Sequence, residues 1–162
     1  MLFGLLGFMM SMADGARRRY WRWRGRPRFA TVALAYTPDG GLILIRQTYS
    51  VGWCLPGGGR GATEESVAAA LRELREEIGL CAWRHAELLT TVHSPSAGVP
   101  VATDVVIVFD AKFAFKRNLE VKAVSQFDPA ALPADLNPWT GTVLTIAGLL
   151  GSVATEQSTD QA

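Results

Sequence analysis

Residues Leu55 to Leu80 read LPGGGRGATEESVAAALRELREEIGL, three consecutive glycines followed by a run that crowds Glu73, Glu76 and Glu77 together. The second half has helical character. Thr63 suits an N-cap, Glu64 and Glu65 fall where the helix dipole favours carboxylates, and Gly79 supplies a stop, so the pattern predicts a helix near 64–78. At about 100° per residue Val67, Leu71, Leu74 and Ile78 share one stripe, the expected buried face. Glu73, Glu76 and Glu77 then project together from roughly the opposite side. Like charges at i and i+4 cost about 0.2–0.5 kcal/mol, so the helix alone is compatible with a solvated acidic face, partly balanced by Arg72 against Glu76, as well as with a functional cluster.

The glycines in front of this helix shift the balance. Gly57, Gly58 and Gly59 allow a ligand to approach the main chain closely and form an expectedly flexible loop. No Gly-Lys-Ser/Thr follows and no GxGxxG spacing is present, which excludes the usual phosphate cradles. A cluster of hard carboxylate oxygens instead suits Mg²⁺ or Mn²⁺, ions that bind phosphate oxygens and activate water.

From Gly58 the chain reads glycine, five residues, Glu64, seven residues, Arg72-Glu73-Leu74, one residue, Glu76-Glu77, one residue, Gly79-Leu80. This order matches every fixed position of the Nudix box, G-x5-E-x7-R-E-U-x-E-E-x-G-U, where U is a bulky aliphatic residue, and the chain resembles that family over roughly Phe29 to Trp139. YSVGWCLPGGG before the box and EVKAVSQFDPAALP after the later strands are similar to flanking segments of the family. The resemblance implies an α/β/α sandwich, of the α/β (α+β) class, with a mixed β-sheet between helices and the box as loop-helix-loop. It also implies hydrolysis of a nucleoside diphosphate linked to another group. By resemblance Glu73, Glu76 and Glu77 are the ligands of Mg²⁺ or Mn²⁺, with one of them able to act as base, and the Gly57 carbonyl is a further ligand. Glu64 and Arg72 complete the catalytic set by orienting the loop and the glutamates. Gly58, Gly59, Arg60 and Trp53 are expected at the substrate, although Trp53 in a strand-like stretch also suits the core. Asp104 and Glu120, and more weakly His93, are candidates for an extra acid or base outside the box. Where the family often has Val-Glu-Pro-Gly this chain has Arg60-Gly61-Ala62-Thr63, an expected source of loop motion and of positive charge for phosphate.

Substrate markers are sparse. Pro95, fifteen residues beyond Leu80, is similar to a proline of ADP-ribose pyrophosphatases, no tyrosine follows it closely, and the SQPWPFPxS array of the NADH-cleaving subgroup is absent. A nucleotide, nucleotide sugar or ADP-ribose-like small molecule is the expected substrate. Two other readings are an RNA 5′-end pyrophosphohydrolase gripping nucleic acid through a basic arm, and a non-catalytic nucleotide-sensing module, against which the intact glutamate set argues.

The remainder of the chain fits one domain. Its 162 residues, 49% hydrophobic, suffice for one buried core, and the formal charge of +1 conceals an uneven distribution. Met1 to Arg28 holds seven arginines and one acid, whereas the rest holds nine bases and fourteen acids. Residues 1–28 form an arm in which an apolar run precedes the charges, the reverse of a secretory signal and too short for a membrane span. It is read as a disordered tail or an over-early start with Met12 as the true one, the alternatives being weak interfacial contact with lipid or a nucleic-acid strip. Cys54 and Cys81 suggest no disulfide framework, so a cytoplasmic setting is expected, and a homodimer is compatible with the composition. Strands are predicted at FATVALAY and LILIRQ as a hairpin around Asp39-Gly40-Gly41, at AELLTTVHS, at TDVVIVFDAKFAF and at AVSQFD. Ser94 to Pro100 reads as a loop, and WTGTVLTIAGLLGSV as a second helix. The expected hydrolase domain is 29–152, followed by a flexible tail over 153–162.

Overall fold

The computed structural model describes residues 28–96 and 99–149. The predicted tail and, but for the backbone of Arg28, the predicted arm lie outside these residues. In chain order the elements are β1 (Arg28–Ala35), β2 (Leu42–Gln47), β3 (Gly57–Arg60), α1 (Ser66–Ile78), β4 (Leu80–Ala82), β5 (His85–Ser96), β6 (Val99–Phe109), β7 (Lys112–Phe113), β8 (Val121–Phe127) and α2 (Pro138–Ile146). The largest sheet is mixed and runs β3-β1-β6-β5, with β1 and β6 parallel and the other pairs antiparallel. Strands β2 and β8 form a second antiparallel pair, and β4 and β7 a third.

Strand periodicity explains the layering. Successive side chains of a strand point to opposite faces, and here alternate residues enter two separate cores. Ala33 and Ala35 of β1, Ile43 and Ile45 of β2, and Val106 and Val108 of β6 pack with Ala70, Leu71, Leu74 and Ile78 of α1. Their neighbours Leu34, Leu42, Leu44 and Val105 pack with Val143 and Leu144 of α2. A helix therefore covers each face, giving the α/β/α sandwich. Among the described residues no helix is long and apolar enough to cross a membrane.

Several predicted elements form with different partners. The strands flanking Asp39-Gly40-Gly41 are present, but Tyr36↔Leu42 is the bridge between them, and they then diverge. Both edges of β1 are taken by β3 and β6, so β2 pairs with β8 instead, from Leu42↔Phe127 to Gln47↔Val121. The predicted loop at Ser94 to Pro100 is largely strand, with Pro95↔Pro100 and Ser96↔Val99 in register at the β5–β6 turn. The glycine triplet is not a free loop: Gly57, Gly58 and Gly59 face Val32, Thr31 and Ala30 of β1 as strand β3. Backbone hydrogen bonds need no side chain, so a segment without β propensity is still held in the sheet.

Helix α1 starts two residues later than predicted. Its N-cap is Glu65, whose carboxylate accepts from the Ala68 N–H at 2.8 Å, and not Thr63. Glu64 is kept out of the helix by a turn, its N–H donating to the Gly61 carbonyl at 3.1 Å. The predicted stop at Gly79 is present in the left-handed conformation, φ 72°. Helix α2 is capped by Asn137, which accepts from the Trp139 N–H at 3.0 Å. The buried hydroxyl of Thr140 accepts from the Leu55 N–H at 3.1 Å and so anchors the chain just before the glycine strand.

Candidate active site

The site is built where α1 lies against β3. At Gly57, φ 154°, a Cβ would stand 2.2 Å from the Thr31 carbonyl oxygen, so this position accepts glycine only. At Gly58 a Cβ would stand 2.7 Å from the carboxylate of Glu73. Gly57 lets β3 lie close against β1, Gly58 leaves room for the helix at Glu73, and Glu77 uses that approach: the Gly57 N–H donates to its Oε2 at 2.8 Å. Gln47 Nε2 reaches its Oε1 at 3.5 Å.

Glu77 departs from the predicted solvated face. It is 3% exposed, on the flank of α1 next to the core residues Leu74 and Ile78, because β3 covers it there. Burial pushes its carboxyl up to about 8; the Gly57 N–H opposes this rise, and the charges of Glu73 and Glu120 add to it. Glu73 is half-buried and also shifted upward, first by desolvation, then against the pull of Arg72 and with repulsion from Glu76 and Glu120. Glu76 is exposed. The three glutamates thus adjoin one another in three different environments, with Glu120 close enough to act on two of them.

Arg72 ties the cluster to its support. Its Nε and Nη2 donate to the two oxygens of Glu64 at 3.0 and 3.3 Å, its Nη1 to Glu73 Oε1 at 2.7 Å, and its Nη2 to the Gly59 carbonyl at 3.0 Å. Glu76 Oε2 lies 3.6 Å from Nη1. Glu64 also accepts from the Gly61 N–H at 3.0 Å, and these contacts, Arg72 first, hold its carboxyl below the usual range. A planar guanidinium with a fixed fork of donors can meet two carboxylates and a carbonyl at once, which a lysine cannot.

Four predicted residues stand elsewhere. Arg60 does not present its charge to solvent: Nη2 pairs with Asp104 Oδ2 at 2.9 Å and Nη1 donates to the Glu64 carbonyl at 2.8 Å. Asp104 is buried, pairs with Arg60, accepts from the Ser66 and Thr91 hydroxyls, and is not drawn into the glutamate cluster. Trp53 packs edge-on against Phe127 at 4.9 Å and carries the Arg46 guanidinium over its ring at 4.7 Å, which makes it a wall of the second core. His93 is an exposed residue of β5 opposite Ala102. Sequence reasoning missed Gln47 and Asn118. Asn118 Nδ2 donates to the carbonyls of Glu76 and Glu77 at 3.4 and 3.3 Å, while its Oδ1 accepts from the N–H groups of Glu120 and Val121 at 3.0 and 2.7 Å. The second half of that pattern is an Asx turn, for which Asn118 two residues before Glu120 was a readable signal.

The NUDIX domain matches residues 26–145, a span that includes the box, the glycine strand, α1 and all but the last residue of α2. The chain belongs to the Nudix family. Among solved structures it is similar to a MutT Nudix hydrolase from Burkholderia pseudomallei, 28% identical, with a TM-score of 0.63 over 74% of this chain and 97% of that one. A putative Nudix hydrolase from Chromobacterium violaceum, 22% identical over 76% of this chain and 77% of that one, shares the fold with a TM-score of 0.59. So does a bifunctional NMN adenylyltransferase/ADP ribose pyrophosphatase from Francisella tularensis, 15% identical over 86% of this chain and 46% of that one, TM-score 0.61. No curated protein matches the chain at a comparable level. With the Nudix fold and the family match together, the protein is a Nudix-type hydrolase.

Proposed function

We propose that this Nudix hydrolase is a divalent-cation-dependent pyrophosphohydrolase acting on a small nucleoside diphosphate linked to another group. The observation that carries the reading is the desolvated carboxylate cluster: Glu77 buried against the Gly57 N–H, Glu73 beside it, and Glu120 adding repulsion, with Arg72 as their cationic neighbour. Such an arrangement is unfavourable by itself and becomes favourable once positive charge enters.

The donor set fits a hard cation in kind. Glu73, Glu76 and Glu77, with the Gly57 carbonyl, offer oxygen ligands of the type that Mg²⁺ and Mn²⁺ take. Among the described residues no three carboxylate, imidazole or thiol groups already converge on one point. The reason is local: Glu77 is held by Gly57 and Gln47, and Glu73 by Arg72, and each carboxylate oxygen so held keeps a further lone pair that could meet a cation. A cation held by these residues would supply positive charge against the phosphate oxygens and make water more acidic.

The chain's own residues supply orientation. Arg72 and Glu64 fix the rotamer of Glu73, and the Gly57 N–H fixes that of Glu77, so neither carboxylate has to be ordered when substrate arrives. Gly58 and Gly59 present backbone with no side chain between it and a diphosphate. Glu120, exposed on the segment that Asn118 ties to the end of α1, is the residue to which we assign the proton of the attacking water. The deciding experiment is a Mg²⁺ and Mn²⁺ assay over ADP-ribose, nucleotide sugars, dinucleotides, oxidised deoxynucleoside triphosphates and 5′-triphosphorylated RNA. Cleavage of a small diphosphate that disappears with chelator is expected. Chelator-resistant turnover, or cleavage confined to RNA, would overturn the reading.

A further inference from the structure

The ion pair between Arg60 and Asp104 lies outside the glutamate cluster, and nothing in the reaction above uses it. Asp104 faces α1 from β6, in the row of the sheet where β3, β1 and β5 contribute Gly58, Thr31 and Thr91. At 4% exposure its carboxylate accepts from Ser66 Oγ at 2.6 Å and Thr91 Oγ1 at 2.7 Å, and meets Arg60 Nη2 at 2.9 Å. Arg60 lies over the Phe29 ring at 5.0 Å and donates from Nη1 to the Glu64 carbonyl at 2.8 Å. Two buried atoms of this group, Arg60 Nε and Thr31 Oγ1, have no hydrogen-bond partner among the described residues.

A buried pair with an unsatisfied donor gives little net stability compared with apolar residues of similar volume. What the pair does provide is direction. One guanidinium holds β6 through one nitrogen and the chain at Glu64 through another, while the same aspartate holds Ser66, the first residue of α1. Glu64 is the residue whose side chain grips Arg72, and Arg72 in turn grips Glu73. A displacement at Asp104 therefore reaches Glu73 through an unbroken series of hydrogen bonds.

We propose that Arg60 and Asp104 are positioning residues of the hydrolase site, setting the place of Glu64 and the start of α1 so that Arg72 can aim Glu73. The inference rests on the reading of the glutamates as cation ligands. Its test measures binding of Mn²⁺ alone, by the electron paramagnetic resonance signal of the free ion, alongside the urea midpoint of each variant. Asp104→Asn should unfold at lower urea, because Arg60 is left buried and unpaired. The double variant Arg60→Met with Asp104→Leu should recover the wild-type midpoint. Both should bind Mn²⁺ at least about tenfold more weakly than wild type, the scale expected when the support of a metal ligand is lost. Arg60→Lys keeps the charge opposite Asp104 but cannot fork to the Glu64 carbonyl. It should show the same loss of Mn²⁺ affinity with a smaller change in midpoint, and it decides the matter if the double variant does not fold. Wild-type Mn²⁺ affinity in the double variant or in Arg60→Lys would overturn the positioning role alone. Absence of Mn²⁺ binding by the wild type would overturn the cation reading and this inference with it.

Discussion

Replacing Glu77 by glutamine should make the cation-free protein more stable while abolishing its hydrolysis. Glu77 is 3% exposed, and its carboxyl is pushed up to about 8 from an ordinary value of 4.5. At pH 7 the folded state therefore holds a proton that the unfolded state has released. By proton linkage this difference corresponds to about 3 kcal/mol of lost stability. The sign follows from the raised value: the folded form binds more protons, so the stability contribution is intact below about pH 4.5 and is lost as pH rises towards 8. Glutamine can still accept from the Gly57 N–H through its carbonyl oxygen, and it has no ionised form to desolvate. In EDTA at pH 7.5 the variant should melt several degrees above the wild type, since about 1 kcal/mol moves the midpoint by 2–8 °C in domains of this size class. The slope of stability against pH between 5 and 8 should flatten without vanishing, because Glu73 is shifted the same way. Glu64, held low, exerts its pH dependence below that window. Differential scanning fluorimetry over pH 5–8 in chelator reads both effects. A lower melting temperature for the variant, or an unchanged pH slope, would refute the argument that burial of this charge dominates its energetics.

The remaining predictions concern the parts that set the glutamates. Gly58→Ala places a methyl group 2.7 Å from the Glu73 carboxylate and should lower kcat/KM about 100-fold, the cost of a displacement near 1 Å, with retained secondary structure by circular dichroism; activity within twofold of wild type would contradict the close packing. Gly57→Ala collides with backbone and should cost at least about 2 kcal/mol in urea unfolding, whereas Gly59→Ala, with open space around its Cβ, should not. Arg72→Lys should lower kcat by about 10- to 100-fold with little change in melting temperature, as a single ammonium cannot hold Glu64 and Glu73 together; unaltered kcat would show the fork to be dispensable. Asn118→Ala should cost about 1 kcal/mol and reduce kcat in proportion to the role of Glu120, measured against Glu120→Gln as reference.

How much of this was legible in the chain depends on the range of the interactions concerned. The stop at Gly79 and the core positions Leu71, Leu74 and Ile78 follow from local conformation and helical period, and they stand as read. The N-terminus of α1 was misplaced because Thr63 is a good cap only in isolation. Gly61 and Arg72 engage the Glu64 carboxylate, and Arg60, fixed on Asp104, takes the Glu64 carbonyl. The burial of Glu77 was invisible for a similar reason: on a helical wheel it sits beside Glu73 and Glu76, and only the arrival of β3, pairing with β1 across more than twenty residues, covers it. Three glycines have no strand propensity to announce that arrival. The hairpin failed likewise, since Asp39-Gly40-Gly41 fixes the turn but not which strands win the open edges of β1.

Three of these departures share a cause that bears on function. The start of α1, the glycine strand and the burial of Glu77 all lie where α1 meets β3, and there the sequence departs from what either element would choose alone: no side chains on the strand, like charges on the helix, and an arginine turned inward. Taken separately each is a local conflict of the kind expected at functional sites. Taken together they are mutually explanatory. The bare strand admits the helix, the helix brings Glu77 under the Gly57 N–H, and Arg72 and Arg60 supply the positive charge that keeps the remaining carboxylates in place. The residues of the box are thus largely occupied in holding one another, which leaves them few free groups with which to tell one diphosphate ester from another. Discrimination must then come from segments bordering the cluster, of which the stretch between β2 and β3 exposes Tyr49 and Val51, the latter at 87%. An exchange of residues 48–52 with a relative of different preference should therefore move KM between substrates while leaving kcat on the best one within a few-fold, and a collapse of kcat for all substrates would show that this stretch supports the cluster and does not select.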